Sequence, residues 1–317
     1  MDTMKRRTLL GIGMLGASAL AGPRQLYAAA LSGEDTEIPL WPGDKPPDGS
    51  GPQGPERTNA KGSLTNISRP RMVAYRPQRP NGSAMLVIAG GGYAHIERGT
   101  ESIPAARWLQ ALGVTVFELV YRLPGEGWSK LAPFQDGQRA MRLIRASAAK
   151  YGLDARRIGV LGFSAGGHLA GTTAAEPDAP RYAASDVADQ LSARPDFAGL
   201  IYPVLSFMPP YDNTHSRREI IGKHPDPAES EAFSVERHVG AGMPATFLAQ
   251  AADDPISPIQ NSLLMFNALK AARIPAEMHV FQEGGHGWGL GPQGSLVHAW
   301  PALFETWIRH NGWMGSD

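Results

Sequence analysis

The stretch Val160-Leu-Gly-Phe-Ser-Ala-Gly-Gly-His-Leu-Ala170 narrows the folds open to this chain more than any other. An apolar run from Ile158 to Phe163 has the composition of a buried strand. The residues from Ala165 to Ala175 are mostly small and suit a helix packed closely on its neighbours. Ser164 stands at the junction, between Gly162 and Gly166. Gly-x-Ser-x-Gly in that setting describes a sharp turn from strand to helix. The glycines let the two elements approach, and the serine is held on a strained corner with its oxygen exposed.

The rest of the chain supplies the layers such a turn needs. Short apolar runs at Ala84–Ala89, Val114–Val120, Ile158–Phe163, Ala198–Val204, Ala245–Ala249 and Glu277–Phe281 predict strands. Between them, Ile103–Leu112, Phe134–Tyr151, Ala165–Ala175, Ile259–Ala272 and Ala299–His310 predict helices. Within Phe134–Tyr151, Met141, Ile144 and Ala148 share one helical face, and Arg139, Arg142 and Arg145 lie elsewhere on it. Strand–helix alternation predicts an α/β fold: a mostly parallel central sheet with helices on both faces. Residues 31–70 are rich in Pro and Gly and read as an extended arm without assigned chemistry. Residues 71–317 then form a single domain, with no internal repeat. Ser206–Gly242 breaks the rhythm, being polar and proline-rich. It is expected to be a small lid over the site, the alternative being a solvated loop.

Composition excludes several functions. Hydrophobic residues make up 42% and charged residues 19% of 317 residues, which is globular composition. A net charge of +0 gives no basic footprint for nucleic acid. With no cysteine there are no disulfides, thiolate metal sites or cysteine nucleophile. The head Lys5-Arg6-Arg7, a modestly apolar middle and an Ala-rich end predict a signal peptide over residues 1–30, of the twin-arginine kind. Cleavage is expected near Ala28–Ala30, and the location periplasmic or secreted. An uncleaved anchor is the alternative, but the apolar stretch is short for a span. No other segment is apolar enough to stay in a membrane.

A serine hydroxyl needs a base to take its proton and a place for the resulting oxyanion. Ser164 is the candidate nucleophile. The run Ala84–Ala89 ends in Gly90-Gly91-Gly92, roughly seventy residues before Ser164, the placing expected of an oxyanion loop. Backbone N–H groups of Gly91, Gly92 and Ala165 are the candidate donors. Of nine histidines, His286 lies in a glycine-rich turn after the last expected strand and is the candidate base. His168, one helical turn after Ser164, is read as a packing or hydrogen-bonding residue. Asp253 and Asp254 follow the Ala245–Ala249 strand. Adjacent residues cannot both face one imidazole. Asp254 is the chosen acid and Asp253 is left to cap a turn. The order Ser, Asp, His is that of the α/β hydrolases.

These residues carry a resemblance. The stretches "AGGGYAH", "VYRLPGEGW", "PFQDGQRAMRLIR", "DARRIGVLGFSAGGHLA", "LIYPVLS" and "AADDPISPIQNSLLMFNALKAARIPAEMHVFQEGGHGWGL" resemble the α/β-hydrolase-fold esterases near the hormone-sensitive-lipase-like group. More narrowly, they resemble exported bacterial carbohydrate acetylesterases, acetylxylan-esterase-like and often labelled xylanase. The resemblance runs from about Met72 to the C-terminus. It implies ester hydrolysis through an acyl-enzyme on Ser164, His286 and Asp254, with Gly91, Gly92 and Ala165 as oxyanion donors and no metal or organic cofactor. The implied partner is a small-molecule or oligosaccharide ester. One departure is Ala89, where lipase-like chains place a histidine and the narrower group often a proline. Asp136 and Arg139 also match, and are read as an ion pair or cap at a helix start. Two other readings stand beside this one: a prolyl-oligopeptidase-like peptidase, and a non-catalytic hydrolase-like binding module, which predicts a broken triad. An endo-xylanase would need paired acidic catalysts. Trp41, Tyr93, Trp128, Tyr211 and Trp288 are candidates for stacking on a sugar or for ordinary packing.

Overall fold

The computed structural model describes residues 36–315. The leader expected over residues 1–30 lies outside them. The strands are β1 (Thr36–Pro39), β2 (Arg57–Thr58), β3 (Leu64–Thr65), β4 (Arg71–Tyr75), β5 (Ala84–Ile88), β6 (Thr115–Val120), β7 (Ile158–Phe163), β8 (Phe197–Ile201), β9 (Ala245–Ala251) and β10 (Ala276–Phe281). The helices are α1 (Ile103–Ala111), α2 (Ala132–Ala146), α3 (Ala148–Tyr151), α4 (Ser164–Ala175), α5 (His215–Ile221), α6 (Pro227–Ala232), α7 (Gln260–Ala271) and α8 (Trp300–His310).

Eight strands form one sheet in the order β1-β4-β6-β5-β7-β8-β9-β10. From β6 to β10 every pairing is parallel. Each expected strand is present with ends shifted by a few residues, and so are the helices, except that Phe134–Tyr151 divides at Ser147 into α2 and α3. Ala198–Val204 shortens to β8 because Tyr202 turns the backbone to a φ of 36°, which no strand continues. Alternation on the strands divides the core. Ile158 and Val160 of β7 face a layer shared with Met141 of α2, Leu169 of α4 and Met265 of α7. Leu161 and Phe163 face the opposite layer, with Leu109 of α1 and Phe304 of α8. Both faces are covered, and β5, β7 and β8 carry no polar side chain.

Four strands, β1 to β4, went unread in the sequence; among the strands, β2 and β3 pair only with each other. β1 and β4 pair antiparallel, Thr36 opposite Ala74 and Pro39 opposite Arg71, and close the sheet edge. β1 is short, its Pro39 is compatible only with an edge, and its residues are mostly exposed, so no apolar run announces it. The segment read as an arm therefore packs on the sheet, and its Leu40 and Trp41 are buried.

Asp136 and Arg139 hold this segment in place, but not by pairing with each other. α2 begins at Ala132, so both sit inside the helix rather than at its start. Asp136 and Arg122 form a pair with no exposure on either side chain, 2.9 Å apart. Asp136 also accepts from the Arg122 backbone N–H at 2.9 Å and from Trp41 Nε1–H at 2.8 Å. Arg139 donates to Leu40 O at 2.8 Å and pairs with Asp186 and Asp189. Removing one partner of a buried pair strands the other charge. Asp136→Ala is expected to destabilise the protein by about 3–5 kcal/mol. Urea unfolding measures this, and a loss below about 1 kcal/mol would mean that Arg122 finds other partners.

Candidate active site

The parallel strands end together at one edge of the sheet, and the loops that follow them meet there. Ser164 opens α4 directly from β7, with φ 50°, a left-handed conformation that strains a non-glycine residue by about 1–3 kcal/mol. Its neighbours explain how the chain tolerates it. A Cβ on Gly162 would lie 2.2 Å from Gly166 O, and one on Gly166 would lie 2.3 Å from Ile88 O and 2.5 Å from Ala89 O. Only glycine permits helix, nucleophile turn and adjacent β5 to touch in this way.

The three side chains expected to act together are joined by two hydrogen bonds. Ser164 Oγ is 2.7 Å from His286 Nε2, and His286 Nδ1 is 2.7 Å from Asp254 Oδ2. Asp254 is buried, and its Oδ1 accepts the N–H groups of Ile256 and Ser257, each at 2.8 Å. Its Oδ2 also accepts Gln250 Nε2–H at 2.9 Å. An ionised carboxylate only accepts, so Nδ1 carries the ring proton and Nε2 faces the serine as an acceptor. Asp253 points elsewhere. It is exposed, and its Oδ1 accepts Gly285 N–H at 2.8 Å, fastening the turn that carries His286.

The glycine loop runs beside the serine: a Cβ on Gly90 would lie 2.8 Å from Ser164 Cβ. Gly91 and Gly92 have φ of 114° and 65° and line the same pocket as Ser164. Gly91 O accepts Ala94 N–H at 3.1 Å, which closes the turn. Among the described residues no hydrogen bond uses the N–H of Gly91 or Gly92. Ala165 is the second residue of α4, where a backbone N–H has no partner within the helix. The pocket has a volume of about 450 Å³. Its walls include Lys61, His95 and Glu97 from the segments before α1, and Thr214, His215 and Ser216 from the inserted segment. That segment, expected as a lid, folds into α5 and α6 and forms one wall.

Glu101, Tyr202 and His215, which stand close to the site, carried no assigned role in the sequence. Glu101 is 3% exposed; its Oε2 accepts Gly90 N–H at 2.6 Å and its Oε1 accepts Tyr202 Oη–H at 3.0 Å. Burial raises its carboxyl to about 7, against the opposing effects of those two hydrogen bonds and of His286. Tyr202 packs edge-on against the His286 ring, centroids 5.0 Å apart. His215 sits over Gly92. No sequence motif marks any of them, because their neighbours come from distant segments.

Other expectations are settled by burial. Trp41, Tyr93, Trp128 and Trp288 are buried and Tyr211 is half-buried, and no Trp, Tyr or Phe lines the pocket. His168 is fully buried, stacked on Phe207 at 4.5 Å, with Nδ1 2.8 Å from Tyr93 Oη and Nε2 2.7 Å from Phe233 O. Among the described residues no group of three or more His, Cys, Asp or Glu side chains is arranged to hold a metal ion. No helix among them is long and apolar enough to cross a membrane.

The parallel sheet and the strand-to-helix turn at Ser164 define an α/β-hydrolase fold. The chain belongs to the BD-FAE family, whose model matches residues 73–269. Among solved structures, the acetyl ester-xyloside bifunctional hydrolase of Caldicellulosiruptor lactoaceticus superposes with a TM-score of 0.75 at 34% identity, covering 88% of this chain and 97% of that one. Among curated proteins, endo-1,4-beta-xylanase B of Butyrivibrio fibrisolvens is 35% identical over 205 residues, 64% of this chain and 32% of that protein. The acetylxylan esterase of Xylanibacter ruminicola is 28% identical over 236 residues, 72% of this chain and 46% of that protein. The chain thus spans between about a third and a half of the length of these two curated relatives.

The buried His168 supplies a test of the packing behind Ser164. Burial lowers its pKa from 6.5 to about 4, assisted by the charge of Arg181 and opposed by the hydrogen bond to Phe233 O. The unfolded chain therefore takes up the proton first as pH falls. The contribution is complete above about pH 6.5 and is lost progressively toward pH 4, up to about 3 kcal/mol. Urea unfolding at pH 7 and pH 5 should show a smaller loss in His168→Gln than in the unmodified chain. Equal losses in both would rule out His168 as the source.

Proposed function

We propose that the protein is a serine carboxylic-ester hydrolase that works through an acyl-enzyme and removes acetyl groups from plant cell-wall carbohydrate such as xylan. The observation that carries this reading is the relay from Ser164 through His286 to Asp254 at one end of the pocket. The acetyl esters in the names of two relatives support the choice of acyl group. The polar rim of Lys61, His95, Glu97 and His215 suits hydroxyl groups better than an alkyl chain.

In this mechanism His286 Nε2 takes the Ser164 proton as Oγ attacks the ester carbonyl carbon. The carbonyl oxygen becomes an oxyanion held by the N–H groups of Gly91, Gly92 and Ala165. The tetrahedral species collapses, the C–O bond to the alcohol breaks, and His286 gives its proton to the departing sugar oxygen. Water then attacks the acetylated Ser164, with His286 again as base, and acetate leaves. Asp254 keeps the imidazole in the required tautomer and stabilises the imidazolium without being protonated. The Lys5-Arg6-Arg7 head and the apolar stretch after it support export by the twin-arginine route, which would bring the enzyme to polymer outside the cell.

The test follows acetate release from acetylated xylo-oligosaccharides and from a small synthetic acetyl ester. Ser164→Ala is expected to lose about 1000-fold or more on both. Turnover of the synthetic ester alone would keep the esterase and discard xylan. No turnover by folded protein, or faster cleavage of proline-containing amides, would discard the esterase. The two aspartates are separated in the same assay. Asp254→Asn should lose about 10⁴-fold in kcat by imposing the wrong tautomer, whereas Asp253→Asn should keep most of its rate. The reverse ranking would reassign the acid.

A further inference from the structure

Glu101 is the one buried carboxylate at the pocket that the mechanism above leaves without a task. Among the described residues no Arg or Lys pairs with it. Burying a carboxylate without a cation is unfavourable, so its remaining partners matter. They are all parts of the site. Oε2 accepts the N–H of Gly90, the residue immediately before the two candidate oxyanion donors. Oε1 accepts the Tyr202 hydroxyl, and that hydroxyl accepts Gly289 N–H at 3.0 Å, three residues beyond His286.

The local chain is built to hold Glu101 still. Residues Arg98–Ser102 wind as a single π-helical turn leading into α1, a form seen often at functional sites. Both ends of the turn are tied to Glu118 on β6, which is fully buried. Arg98 donates to Glu118 twice at 2.8 Å, and Ser102 Oγ donates at 2.6 Å. Tyr75 Oη–H donates to the same carboxylate at 2.7 Å. Glu101 has little freedom to leave the pocket floor.

We propose that Glu101 is a positioning residue that locks the Gly90–Gly92 loop to the His286 loop through Tyr202, so that oxyanion donors and base keep one relative geometry during turnover. The role rests on the reading of Ser164 as nucleophile and His286 as base. Fixing Gly90 N–H sets the direction of the peptides that follow it. Tyr202 carries the constraint across to the turn beyond His286, while its ring lies against the imidazole. The titratable groups interacting with Glu101 are Tyr202, His286, Glu97 and Tyr121. Of these, only His286 becomes cationic in the reaction.

Glu101→Gln keeps the shape and removes the charge. With the small synthetic acetyl ester, kcat should fall about 10- to 100-fold with KM little changed, the scale of a misplaced catalytic geometry. A wild-type kcat, or a lower kcat with a raised KM, overturns the proposal. Tyr202→Phe keeps ring and carboxylate and removes only the link; it should lower kcat about 10-fold. Should Glu101→Gln fail to fold, Tyr202→Phe decides, and wild-type kcat in that variant overturns the proposal. Ser164→Ala is run beside them. Full activity in Ser164→Ala removes the nucleophile reading and this one with it. An inactive Ser164→Ala beside a wild-type Glu101→Gln removes the positioning role alone.

Discussion

The contact between α4 and β5 at Gly166 is the constraint on which the geometry of the site depends. There a helix lies against the carbonyls of Ile88 and Ala89 with no room for a side chain. That contact sets how far Ser164 stands from the loop that follows β5. Any residue larger than glycine would push helix and sheet apart and separate the serine from Gly90–Gly92. The strained φ of Ser164 belongs to the same arrangement: strand direction, helix direction and close approach leave it no relaxed alternative.

Parallel pairing does the rest of the assembly. β5, β7, β8, β9 and β10 run side by side in one direction, so the segments following them emerge at a common edge. Those segments bring the glycine loop, Ser164, Tyr202, Asp254 and His286. Rigid strands on which both faces are buried position chemistry carried by loops. The imidazole is held from three directions: Asp254 through Nδ1, Ser164 at Nε2 and the Tyr202 ring at its side.

Buried charge is handled in two different ways. The pairs Arg122–Asp136 and Arg98–Glu118 neutralise themselves and tie peripheral segments to the sheet. Glu101 and His168 have no opposite charge in contact. Burial shifts both toward their neutral forms, His168 behind the nucleophile turn and Glu101 beside the oxyanion loop. The first group is a matter of stability. Glu101 is in addition within reach of the reacting groups.

The sequence by itself determined the alternating layers, the strand-to-helix turn at Ser164 and the identity of Asp254 and His286 as candidates. Those signals are local: apolar runs, glycines at fixed offsets, a histidine in a glycine turn after a strand. That only one of Asp253 and Asp254 could face the imidazole was legible because neighbours on a chain point different ways; the fold turns Asp254 toward His286. Tertiary structure alone decided what depends on distant partners. β1 joins the sheet edge because β4 offers it hydrogen bonds, not because Thr36–Pro39 is apolar. Asp136 and Arg139 find Arg122, Asp186 and Asp189 rather than each other, since α2 directs their side chains to different segments. Four of the five aromatics open to two readings are packing residues because the chain folds over them. Glu101 was invisible for the same reason. A glutamate ahead of a helix looks like any surface acid until the fold removes water from it and surrounds it with Gly90, Tyr202 and His286.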